Sequence, residues 1–118
     1  MHVAFIAVSI LLALEMAGAG VPKLLQLSAV RGSAEHLGVG VGLHRTIGVA
    51  EVAAAVGLGV GIAYPPLAVV TAAAVCLLMC GAVGYHIKAG DKASIMLPAV
   101  LTGMAAIIVA LLAAASTR

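Results

Sequence analysis

Two glutamates stand in surroundings that disfavour acids. Glu15 lies deep in the first long apolar block and Glu51 well inside the second. An ionised side chain at the centre of a bilayer costs at least about 2.5 to 3.5 kcal/mol on insertion scales. Low dielectric disfavours the charged form of a carboxyl unless a cation faces it, and a carboxyl with a proton to give, in apolar surroundings, is the setting of a general acid. Glu15 and Glu51 are therefore the candidate catalytic residues, as acid or base. The alternative is a neutral or paired glutamate that ties two helices together.

Four further side chains could position a polar head. His44 and Arg45 open the second apolar block, and His44 precedes Glu51 by seven residues, close to two helical turns, so the two share nearly one helical face. Arg45 points roughly 120° away around the helix. It is expected to meet Glu15 or a lipid phosphate rather than Glu51, or to snorkel to the headgroups. Lys23 follows Pro22 directly and either snorkels or turns back toward Glu15. His86 closes the third block beside Tyr85, at the level where amphipathic side chains anchor to headgroups. If the helices bundle in sequence order, Lys23, His44, Arg45 and His86 gather at one end as a polar cluster open to the cytoplasm, and these are the candidate substrate-binding residues. No metal site is expected. The histidines show no i, i+4 pair, and Cys76, Met79 and Cys80 are expected to pack rather than ligate a soft metal.

The elements that must hold these groups follow from the apolar runs. Of 118 residues, 64% are hydrophobic and 8% charged, with a mean hydropathy of +1.28. Soluble domains are roughly half apolar and a quarter charged, so this chain is all-α and polytopic, a four-transmembrane-helix bundle forming a single transmembrane domain. Spans are expected over about residues 3–20, 43–63, 67–87 and 94–115, with an interfacial segment over about 24–36. Gly18, Gly20 and Pro22 are expected to stop the first span, Tyr64-Pro65-Pro66 to turn the second tightly into the third, and Pro98 to sit in the first turn of the fourth. Ala53, Gly57 and Gly61 form a small-xxx-small stripe suited to close helix packing. The first block, without a basic lead or a convincing cleavage site, is expected to stay as a helix.

Lys23, Arg31, Lys88 and Lys92 all fall in the first and third connections, whereas the second carries no charge. The positive-inside rule then places both termini outside a cell membrane. A net charge of +2 from so few groups offers no basic patch for nucleic acid.

Three short stretches carry a family resemblance: Gly18 to Leu24 (Gly-Ala-Gly-Val-Pro-Lys-Leu), Arg45 to Glu51 (Arg-Thr-Ile-Gly-Val-Ala-Glu) leading into Gly57-Leu58-Gly59, and Gly81 to His86 (Gly-Ala-Val-Gly-Tyr-His). Nearly the whole chain resembles the DoxX-like membrane proteins. The resemblance implies four membrane helices and matches the family pattern at Lys23, Gly48, Glu51 and His86, while Glu15 lies outside that pattern. It also implies a link to quinone-dependent oxidation, because DoxX-type polypeptides are subunits of a thiosulfate:quinone oxidoreductase.

Three functions are expected to compete. The first is an enzyme that binds a lipophilic small molecule, of isoprenoid, epoxide or quinone type, and performs acid–base isomerisation or cyclisation with no cofactor. The scarcity of aromatic side chains, 3% of the chain, counts against carbocation chemistry. The second is a small membrane subunit with an oxidoreductase partner. The third is a proton-coupled carrier working as a homo-oligomer.

Overall fold

A computed structural model of the chain describes residues 2–116, the Ala29 side chain excepted. Among the described residues there are five helices: α1 (His2–Leu25), α2 (Ser28–Leu37), α3 (Val41–Ala63), α4 (Pro65–Lys88) and α5 (Ala93–Ser116). All but α2 are long and apolar enough to cross a membrane. A 24-residue helix is about 36 Å long, enough for a hydrocarbon core of roughly 30 Å.

The long helices form a ring in the order α1, α3, α4, α5. The α1–α3 and α4–α5 faces are the most extensive, α3–α4 is intermediate, and α1–α5 closes the ring least tightly. Inside, small side chains predominate: Ala68, Ala72, Ala106 and Ala113 are fully buried, with Phe5, Leu58, Val75 and Val109 filling the remaining space. Outside, Leu11, Leu14, Val70, Leu77 and Leu111 stand exposed. Small residues inward and large apolar residues outward is the arrangement of a bundle in lipid, where close backbone approach rather than water exclusion drives packing.

Two helix ends differ from expectation. α1 does not stop at Gly20 but runs through Pro22 to Leu25. Proline in the last turns of a membrane helix removes one backbone donor, and neighbouring groups take up the freed carbonyls. The consequence is that Lys23 lies on the helix, one turn from Gly20 on the same face, rather than in a connection. Pro98 falls in the second turn of α5, not the first, and its carbonyl accepts the Thr102 hydroxyl at 2.9 Å.

The two-proline turn makes α3 and α4 neighbours as expected, and the stripe on α3 meets α4 at two of its three positions. A Cβ on Gly61 would fall 2.8 Å from the Ala68 side chain, and one on Gly57 would fall 2.5 Å from the Thr71 hydroxyl oxygen. Ala53 is exposed.

Candidate functional site

The tightest approach of two helices lies where α1 crosses α3. A Cβ on Gly20 would lie 2.8 Å from the Gly48 carbonyl, and one on Gly48 would lie 2.9 Å both from the Gly20 carbonyl and from Cβ of Lys23. Only glycine at both positions lets the backbones meet, and the meeting sets Lys23 opposite Glu51. Lys23 Nζ lies 2.5 Å from Glu51 Oε1, with the Glu51 side chain 3% exposed and that of Lys23 23%. The Glu51 charge is thus paired out of water, where losing Lys23 would strand it.

Glu51 belongs to a continuous buried stripe on α3: His44, Gly48, Glu51, Ala54, Leu58 and Gly61. The seven-residue spacing does place His44 and Glu51 on one face. They do not touch each other; His44 is engaged by Gln26. The Gln26 amide nitrogen lies 2.7 Å from the Lys23 carbonyl and 3.0 Å from His44 Nδ1. Because the carbonyl can only accept, the amide nitrogen must face it, and its second hydrogen then points at His44 Nδ1. That leaves the ring proton of a neutral His44 on Nε2. Gln26 adopts a φ of 51°, left-handed backbone unusual for a residue with a side chain. It caps α1, as the Gln26 N–H to Lys23 carbonyl and Leu27 N–H to Pro22 carbonyl bonds show.

His86 is not part of this group. The polar cluster expected at one end of the bundle is divided: among the described residues no hydrogen bond or ion pair joins His86 to Lys23, His44 or Arg45. Instead His86 Nδ1 meets Asp91 Oδ2 at 2.6 Å, and His36 Nε2, from α2, meets Asp91 Oδ1 at 2.7 Å. The division has a backbone cause. α4 ends in a left-handed turn at Gly90, so that the Asp91 N–H returns to the His86 carbonyl at 3.0 Å and carries the carboxylate back over the imidazole. Hydrogen bonds from His86 and then His36 hold the Asp91 carboxyl below the usual aspartate range, against an opposing push from burial. The His36–Asp91 contact also shows that the first and third connections share one end of the bundle.

Glu15 meets neither Arg45 nor Lys23. It lies on the outer flank of α1, exposed, and its partner is the Thr102 hydroxyl of α5. Thr102 has one hydroxyl hydrogen and two neighbours, the Glu15 carboxyl and the Pro98 carbonyl. Both acceptors compete for that one hydrogen, which serves one of them or is shared between the two. Arg45 is exposed on α3, and among the described residues it has no hydrogen-bond or ion-pair partner.

Among the described residues, no three His, Cys, Asp or Glu side chains converge to hold a metal ion. Cys76, Met79 and Cys80 line an open apolar groove of about 370 Å³ between α4 and α5, and the Cys76 thiol is 3.7 Å from the Gly103 carbonyl.

Sequence reasoning missed Gln26, His36, Asp91 and Thr102 as partners. Asp91 had a signal, since a glycine just beyond a helix favours a turn that folds the next residue back. Thr102 is a hydroxyl in an apolar run, a type that often bonds across membrane helices. Gln26 had none.

The model of the DoxX-like family matches residues 7–115. No curated protein and no solved structure matches the chain.

Proposed function

The chain belongs to the DoxX-like family of membrane proteins, and on that premise we propose that it takes up a lipophilic small molecule of isoprenoid, epoxide or quinone type from the bilayer and exchanges a proton with it at Glu15. The observation that carries this reading is the contrast between its two membrane-embedded acids. Glu51 is fixed by Lys23, whereas Glu15 faces outward at the α1–α5 seam with a threonine hydroxyl for a partner. That seam is the least extensive face of the ring, so a molecule dissolved in lipid reaches the carboxyl from the side.

Donation from Glu15 to an epoxide oxygen or an alkene carbon leaves a carbocation and a carboxylate that the Thr102 hydroxyl faces as donor. The carboxylate then takes a proton from the carbon beside the cation, which completes isomerisation or cyclisation and restores the acid. In this reading Glu51 and Lys23 lock α1 to α3, and His44 and His86 order the polar end of the bundle. Both termini face outward, with the connections that carry Arg31 and Lys92 in the cytoplasm.

The test is mass spectrometry of organic extracts from detergent-purified wild type, Glu15→Leu and Glu15→Gln. A specific quinone or isoprenoid in the wild type, depleted in Glu15→Leu and retained unconverted in Glu15→Gln, is the expected result. Bulk phospholipid alone in all three overturns it.

A second reading, a small subunit of a quinone-linked oxidoreductase, is favoured by the open groove between α4 and α5, where Ala99 and Gly103 would admit a partner helix. It predicts a co-purifying partner and no turnover by the chain alone.

A further inference from the structure

Arg31 of α2 and Arg45 of α3 line one cavity of about 300 Å³, with Gln26, Ala34, Glu35 and Val39 among its other walls. Among the described residues neither guanidinium has a hydrogen-bond or ion-pair partner, and neither does the Glu35 carboxylate. Arg45 is the fifth residue of α3, and α2 is the short helix that does not span, so the cavity lies at the polar end of the bundle. We propose that this cavity binds a phosphate-type oxyanion at the membrane–water boundary, with Arg31 and Arg45 as its charged ligands and Gln26 as its floor.

Four features carry the proposal. Each guanidinium offers a planar fork of N–H donors that fits two oxygens of a phosphate, and here the donors are uncommitted. A snorkelling arginine needs only the headgroup layer, whereas these two come from different helices and share one hollow. The volume is at the small end of the range for ligand cavities, roughly 300 to 1,000 Å³, and suits a phosphate or a headgroup rather than a large molecule. The floor residue, Gln26, is 4% exposed and holds a left-handed backbone conformation that glycine would adopt more easily. Strain of that kind persists where a side chain is needed in place, and this one links the cavity to His44 and to the Lys23 carbonyl.

Glu35 gives the proposal a sign that generic basicity lacks. It is the one acid lining the cavity, and its carboxylate opposes an incoming anion. Removing its charge therefore tightens oxyanion binding, and removing either arginine weakens it. The proposal stands apart from the Glu15 seam: loss of the lipophile in Glu15→Leu leaves this site intact, so either idea can fail alone.

The experiment uses the full chain in a neutral maltoside detergent. Native mass spectrometry measures retention of phosphatidylglycerol against phosphatidylcholine, and thermal shift titrates inorganic phosphate. The variants are Arg31→Gln, Arg45→Gln, the double variant and Glu35→Gln, with Lys92→Gln as a charge control on the same end. Each single arginine change is expected to weaken binding about tenfold, the loss of one charge-assisted contact, and Glu35→Gln to strengthen it. Binding of inorganic phosphate identifies a free oxyanion as the ligand, and retention of phosphatidylglycerol alone identifies a lipid headgroup. The single variants keep the test decisive if the double one does not fold. Binding unchanged in both single variants, or lost equally in Lys92→Gln, overturns the proposal.

Discussion

Lys23–Glu51 and His36–Asp91–His86 both set a carboxylate against nitrogen bases at 2.5 to 2.7 Å, yet they are built from different materials. The first joins side chains on two rigid helices, held in register by the Gly20–Gly48 crossing. The second hangs on a turn: Asp91 belongs to the connection after α4, and one of its partners sits on α2, which touches the rest of the bundle sparingly. Charges on helix faces within the bilayer have no water to fall back on, so their pairing is a condition of folding. Charges on a turn at the membrane boundary can be exchanged for water. The first site should therefore resist change and fail by unfolding, and the second should open locally.

The largest effect is expected at Lys23. Lys23→Met leaves Glu51 in the bundle without its cation, at a loss of about 3 kcal/mol of stability. Glu51→Leu should cost less, because Lys23, near the end of α1 and partly exposed, can extend toward the headgroups. Lys23→Met/Glu51→Leu should recover most of the loss, since no lone charge remains. Denaturant titration in mixed micelles supplies the values. A double variant no more stable than Lys23→Met would mean the two residues are not energetically paired.

Next comes the crossing that sets the pair. Gly48→Val places a branched side chain where a Cβ alone would already lie 2.9 Å from the Gly20 carbonyl. Overpacking of this kind costs roughly 1 to 3 kcal/mol. The helices must separate, so Lys23 and Glu51 should uncouple, and adding Lys23→Met to Gly48→Val should cost less than Lys23→Met costs alone. The same titration read as a mutant cycle decides it: full additivity would detach the glycine contact from the ion pair.

The first site was largely legible in the sequence and the second was not, for reasons that lie in the chain. Glu51, Lys23 and Gly48 stand out because each interrupts an apolar run, and helical periodicity puts His44 and Glu51 on one face without any knowledge of tertiary contacts. The partner of Lys23 was missed because Pro22 read as a stop; with the helix continued to Leu25, Lys23 turns toward α3 rather than toward Glu15. Asp91 reads as one more polar residue of a connection unless Gly90 is taken as the sign of a turn that wraps it back over His86. Gln26 occupies the equivalent left-handed position after α1, with φ 51° against 76° at Gly90. Sequence preference points to glycine in such turns and says nothing of a glutamine kept there for its side chain. The four-span architecture was read from apolar length alone, but the order of contacts around the ring depends on which small residues meet.

The smallest effect should be a loosening of α2 at low pH. His86 and His36 hold the folded Asp91 carboxyl below its unfolded value of about 3.9. A group whose folded pKa is depressed contributes stability that is present above the unfolded pKa and lost as pH falls through the folded one. The clasp between α2 and the turn after α4 is thus intact near neutrality and opens only in strong acid, while the ring of long helices keeps its glycine-packed contacts. Spin labels at Ser33 and Lys88, both exposed, in a Cys76→Ala/Cys80→Ala background, report the separation of α2 from α4. The distance distribution should be narrow at about pH 6 and broad at the acid end of a titration carried below the folded Asp91 pKa. Asp91→Asn should broaden it at both, because an amide has a single oxygen to offer two imidazoles. A distribution equally narrow at both pH values and in Asp91→Asn would show that apolar contacts such as that of buried Ala34 hold α2 in place, and that the histidines bind Asp91 without fastening anything to it.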